Sequence, residues 1–220
     1  GLLAQLVTTL YNPNNVSEDA APVTIGLELK AGLQLATMLG YPADPTRADC
    51  AFGHLTSGGT LANLQGLRFA LALKAFPVAL RTAAAPVPGV PDDEWTAFNL
   101  VPAESTCLFV AWTQWLETLS ADERLQWLRR VDAHRIESLG LAGFMASHPE
   151  LSMPQVFAPA TAHYSWSKDM KILGLGRNQL HLVPGKAMRL DIDALGQALE
   201  GCLRKRQPVL MSVGVLGGIE

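Results

Sequence analysis

Cysteine is scarce in this chain: Cys50, Cys107 and Cys202 are all there is among 220 residues, widely spaced and odd in number. That excludes a secreted disulfide framework and a zinc site built from close ligand pairs. The expectation is a reducing compartment and three buried core thiols. Histidine is sparse too. Five are present, and His54, His134, His148, His163 and His181 never pair at metal-ligand spacing, so no metal is expected. Charge of either sign is thin, with 17 Lys+Arg against 20 Asp+Glu and a net of −3. The densest basic cluster, Arg204-Lys205-Arg206, is too short for a nucleic-acid footprint. No apolar run approaches the ~20 residues that cross a bilayer. The first residues, Gly1 to Gln5, have neither a basic stretch nor a small-residue cleavage pattern, so they do not read as a signal peptide. A cytoplasmic protein follows as the expectation, with no nucleic-acid or membrane partner.

What is abundant is apolar side chain, at 49%, enough for a sizeable core and too much for disorder. Residues 1–10 read as the tail of a helix, ended by the turn formers Tyr11-Asn12-Pro13-Asn14-Asn15. Pro22 opens a helix of about seventeen residues, with Gly40 as its C′ residue. A glycine turn, Ser57-Gly58-Gly59-Thr60, precedes a long helix from Leu61 to about Leu80. Residues 81–91, rich in Ala, Pro and Gly, read as a linker, and a tryptophan-bearing helical region covers 92–140. Within it Ser120-Ala121-Asp122-Glu123 has the form of a capping box, and Trp112, Trp115 and Trp127 read as core fillers. After Pro154 the pattern alternates. Strands are expected over 155–158, 179–183 and 208–215, with helices over 163–173 and 192–203. Continuous apolar strands alternating with helices indicate an α/β fold with a parallel or mixed sheet. The chain begins inside an apolar helical segment and stops after a buried-strand pattern, so it reads as an interior piece of a longer protein.

Two strings carry candidate chemistry. Thr56-Ser57-Gly58-Gly59-Thr60 stands directly ahead of a long helix. Its glycines permit close backbone approach, the helix presents free N–H groups and the positive end of its dipole, and the hydroxyls add donors, which together make a phosphate cradle. An ordinary capped loop fits the same string. It is neither a P-loop nor a dinucleotide fingerprint. The second string is His163-Tyr164-Ser165-Trp166-Ser167-Lys168, at the start of a helix after an apolar strand, where α/β proteins place ligands. An imidazole there stacks on a flat ring or moves a proton, unless it is simply bonded to backbone.

Together with Tyr11 to Val16, Ala21-Pro22-Val23-Thr24 with Glu28, Leu61-Ala62-Asn63, Asp93-Glu94-Trp95, Leu173-Gly174-Leu175-Gly176, Arg189-Leu190-Asp191 and Val213 to Gly217, these strings give the chain a family likeness. It resembles the group II pyridoxal-phosphate-dependent amino-acid decarboxylases, and within them the bacterial tyrosine decarboxylases. The resemblance covers nearly the whole chain, and several ordered motifs are more specific than any one.

The resemblance implies a fold-type I large domain, a mostly parallel sheet with flanking helices, plus an inserted helical region. It implies a homodimer and pyridoxal 5'-phosphate as cofactor. Ser57, Gly58, Gly59 and Thr60 would hold the cofactor phosphate. His163 would stack on its ring and serve the chemistry, and Asn12 and Thr24 would lie on the substrate side. The family's Schiff-base lysine lies downstream of this segment, so Lys168 is expected to be structural and the 220 residues alone to be inactive. The implied division is 1–49, an N-terminal helical and substrate-side segment; 50–80, the phosphate loop and its helix; 81–150, the inserted helices; and 151–220, an α/β core segment.

The implied reaction is decarboxylation of an L-amino acid, foremost L-tyrosine to tyramine and CO2. Glutamate, aspartate or 2,4-diaminobutyrate are the other substrates considered, and an inactive, ligand- or partner-binding homologue is the alternative from another class. One departure stands out. At Gly217-Gly218-Ile219 the family usually carries hydroxyl residues after the first glycine, and Gly218 and Ile219 supply none.

Overall fold

A computed structural model describes residues 1–11, 17–47, 50–187 and 189–215. The chain divides into two units, 1–58 and 59–220.

In the first unit, α1 (Leu2–Tyr11) buries none of its residues, and α2 (Thr24–Met38) buries only Gly32 and Ala36. The helix α2 ends as its sequence dictates. Gly40 adopts a φ of 79° and donates its N–H to Thr37, while the N–H of Tyr41 reaches back to Ala36. These are the two reverse bonds of a glycine C-cap. Gly32 is required by a close approach: a Cβ there would stand 2.5 Å from the carbonyl oxygen of Gly53. The same segment is held by Glu28, whose carboxylate accepts the N–H of Leu55 at 3.1 Å.

The second unit is organised around α3 (Gly59–Thr82). One stripe of this helix, Leu67, Leu71, Ala75 and Val78, joins Phe98, Phe144, Val156, Trp166, Met170 and Leu210 in one buried cluster. Its other stripe, Phe76, Ala79 and Leu80, joins Leu108, Trp112, Leu116 and Val131 in a second cluster. A helix apolar on both flanks packs on two sides, and this one carries Pro77 in its interior.

The helical region resolves into α4 (Glu94–Asn99), α5 (Pro102–Glu117), α6 (Ala121–Asp132) and α7 (Ile136–Ser147), the last broken at Gly140, where φ is 67°. The capping box at α6 forms as expected. Ser120 accepts the N–H of Glu123, and the Glu123 carboxylate accepts the N–H of Ser120. Trp112 is buried, with Trp115 and Trp127 packed against the same cluster, so the tryptophans are core.

Two expectations need correction. Cys107 is exposed, and Cys50 and Cys202 are only half-buried. On α5 the buried positions are Ser105, Leu108, Trp112 and Leu116, a helical stripe that leaves residue 107 on the outer face. The segment 81–91, for its part, is no solvated linker. Ala83, Ala85 and Val87 insert into the second cluster.

The sheet has the order β2-β1-β5, all parallel, built from β1 (Gln155–Pro159), β2 (Leu180–Val183) and β5 (Val209–Ser212). All five residues of β1 are buried, as expected of a central parallel strand covered on both faces. The crossover from β1 to β2 contains α8 (Ser165–Ile172), and the one from β2 to β5 contains α9 (Ile192–Arg204). A two-residue hairpin, β3 (Gly185–Lys186) against β4 (Arg189–Leu190), had no sequence signal strong enough to predict it. The described residues thus form an α/β arrangement with a parallel three-stranded sheet.

Candidate functional site

The glycine turn ends in the first turn of α3, which begins at Gly59. Gly58 has a φ of 133°, a conformation that side chains disfavour, and its carbonyl accepts the Thr56 hydroxyl at 3.2 Å. Ser57, Gly58 and Gly59 are exposed and Thr60 is half-buried. A Cβ added at Gly59 would meet no atom within 4 Å. The first turn of α3 holds no carboxylate. A helix N-terminus with no carboxylate in its own first turn suits a phosphate-sized dianion.

His163 lies in the loop after β1, beyond the C-terminal end of the sheet's middle strand, and immediately before α8. That is where open parallel sheets collect ligands. Its ring is exposed. Nδ1 accepts the backbone N–H of Ser165 at 3.2 Å, and the Tyr164 ring lies alongside at 4.2 Å between centroids.

The two elements meet through a bond between residues 102 positions apart. The Asn63 side-chain amide donates to the hydroxyl of fully buried Ser165 at 2.9 Å. The second turn of α3 and the first residue of α8 are therefore within direct hydrogen-bonding reach, which brings Gly59 and Thr60 to the same flank as His163. Neither Asn63 nor Ser165 was singled out from sequence. A signal existed for Asn63: it continues the buried stripe Leu67, Leu71 and Ala75 by one turn, where a polar side chain needs a partner.

Thr24 opens α2 in the first unit and is half-buried. Asn12, and Gly217 to Ile219 with their departure from the family pattern, lie outside the described residues. Lys168 is exposed on α8. Its neighbour Asp169 was also missed. That carboxylate is fully buried, neither oxygen has a hydrogen-bond partner among the described residues, and burial pushes its pKa up. No group of three or more His, Cys, Asp or Glu side chains among the described residues is arranged to hold a metal ion. No helix among them is long and apolar enough to cross a membrane.

No family model matches the chain. Among curated proteins, it is 30% identical over all 220 residues to an L-tyrosine decarboxylase of Levilactobacillus brevis, covering 31% of that protein. Identity to the L-tyrosine decarboxylase of Enterococcus faecalis is also 30% over 220 residues, covering 31%, and to that of Enterococcus faecium 27%, covering 32%. The chain spans about a third of the length of these relatives. Alignment over the whole chain relates it to bacterial L-tyrosine decarboxylases.

Proposed function

We propose that the whole protein is a pyridoxal-phosphate-dependent carboxy-lyase that converts an aromatic L-amino acid, foremost L-tyrosine, to its amine and CO2. What carries the reading is the alignment of the whole chain, at 27–30% identity, to L-tyrosine decarboxylases. On this reading the chain is part of a fold-type I large domain in a cytoplasmic homodimer. The segments 1–49, 50–80, 81–150 and 151–220 serve respectively as substrate side, phosphate loop, helical insert and ring-stacking core.

The residues present fit the cofactor. The open space beside Gly59, the carboxylate-free first turn of α3 and the exposed imidazole of His163 offer a dianion and a flat ring what each requires. Bound pyridoxal phosphate supplies the electron sink for the pair left when the Cα–carboxylate bond breaks. The protein's part is orientation. Backbone N–H groups of Gly59 and Thr60, with Ser57 and Gly58 beside them in sequence, would hold the phosphate. His163 would pack on the ring and offer a proton site at Nε2. By the resemblance, Asn12 and Thr24 would serve the substrate.

The test is titration of the whole protein with pyridoxal phosphate, followed by its visible absorption, and CO2 release from L-tyrosine, L-glutamate, L-aspartate and 2,4-diaminobutyrate. A Gly59→Val variant should fold normally, because its Cβ meets open space, yet bind the cofactor at least about tenfold more weakly, because the ligand needs that space. Unchanged affinity removes the loop from the site. Failure of the unaltered protein to bind the cofactor favours the second reading, an inactive homologue, for which Gly218 and Ile219 are the supporting departure.

A further inference from the structure

We propose that Asn63 and Ser165 are a positioning pair that fixes the tautomer and tilt of His163. The inference rests on the reading above for its catalytic consequence, but not for its geometry. Ser165 is the first residue of α8, so its backbone N–H is one of the four that a helix leaves without an internal partner. Tyr164, at the cap position, makes no side-chain cap bond. The donor goes instead to Nδ1 of His163. A ring nitrogen that accepts a hydrogen bond carries no proton, so neutral His163 carries its proton on Nε2.

This arrangement holds only while Ser165 stays in place. Its side chain has no exposure, and the Asn63 amide donates to its hydroxyl oxygen. Asn63 in turn is fixed by α3, the helix that begins at Gly59. A chain of two hydrogen bonds, 2.9 and 3.2 Å long, thus runs from the second turn of the phosphate-loop helix to the imidazole. A serine placed there merely to start a helix would account for neither the Asn63 amide aimed at it nor its complete burial. A hydroxyl left behind by removal of Asn63 would be buried without that donor, and the loop would shift to satisfy it.

The readouts are the imidazole nitrogen shifts of His163 by NMR in the cofactor-free whole protein, and kcat and KM in the loaded one. The variants are Asn63→Ala, Ser165→Ala and the double substitution. The unaltered protein should show neutral His163 as the Nε2–H form alone, and each single variant a mixture of both tautomers. Each should lose about tenfold in kcat, the worth of one misplaced hydrogen bond, with KM changed by less than about twofold. The double variant should lose no more than either single, as partners in one interaction do. Unaltered nitrogen shifts in both variants, or losses that multiply in the double, would overturn the pair. Should the unaltered protein bind no pyridoxal phosphate, the function fails while the shifts still decide the pair.

Discussion

Replacing Asp169 by leucine should make the protein more stable, and more so at neutral than at acid pH. Asp169 has no exposed surface and no hydrogen-bond partner among the described residues. Its neighbours on the buried stripe of α8, Ser165, Trp166 and Met170, are buried too. Leucine branches at Cγ as aspartate does and has the same number of side-chain heavy atoms, although its two methyls are bulkier than two oxygens. An unsatisfied buried polar group costs about 1–3 kcal/mol, and leucine adds a few tenths through better helix propensity. Slight overpacking by two methyls offsets part of that gain. A net of about 1–2 kcal/mol corresponds to a rise of roughly 2–8 °C in Tm for a chain of this size.

The pH dependence has a definite sign. Burial raises the pKa of Asp169 above its ordinary 3.8, with only partial relief from the charge of Lys168. Below 3.8 the carboxyl is protonated folded and unfolded alike, and its charge costs nothing. As pH rises from there through the folded-state value, the unfolded chain ionises first and the native state loses stability. The advantage of leucine therefore grows over that window and then levels off. Thermal unfolding of the two proteins from pH 4 to pH 8 measures it. An advantage that is the same at every pH would show that folding leaves the Asp169 pKa unchanged, one that shrinks as pH rises would show a paired carboxylate, and either result would refute the reasoning.

Two further substitutions test the packing. Glu94 accepts from His148 Nδ1 at 2.9 Å and stands 3.6 Å from Arg81, whose Nε donates to the Asp92 carbonyl. His148 is buried, so Glu94→Ala strands its ring and should cost about 1–3 kcal/mol in urea unfolding, against a few tenths for Arg135→Ala at the exposed Arg135–Glu137 pair. Gly32→Ala would press a Cβ to 2.5 Å from the Gly53 carbonyl, so residues 51–55 should exchange amide hydrogens at least about tenfold faster, measured by mass spectrometry. Unchanged exchange would mean that α2 has room to move aside.

The periodic parts of the fold were legible in the chain. The apolar stripes of α3 and α9, the Ser120-Glu123 box and the continuous run of β1 each obey a local rule, and each formed within a few residues of its expected limits. Features set by partners distant in sequence were not. Cys107 looked like a core thiol until α5 took its phase from Leu108 and Trp112. Ala83, Ala85 and Val87 carry linker composition, yet their small side chains are what fits beside Trp112. The glycine turn and His163 stood out by residue type, and the site they suggest is open to test. Their connection through Asn63 and Ser165 spans 102 positions, and the stripe position of Asn63 signals a need for a partner without saying which.

The placement of α3 between two apolar clusters bears on how the molecule comes apart. Because one rod supplies side chains to both neighbours, neither the tryptophan-bearing helices nor the strand-containing half keeps an intact interior once the other is lost. Residues 59–220 should accordingly melt in a single step, so that damage at Trp112 is felt as a lower midpoint by amides in β1.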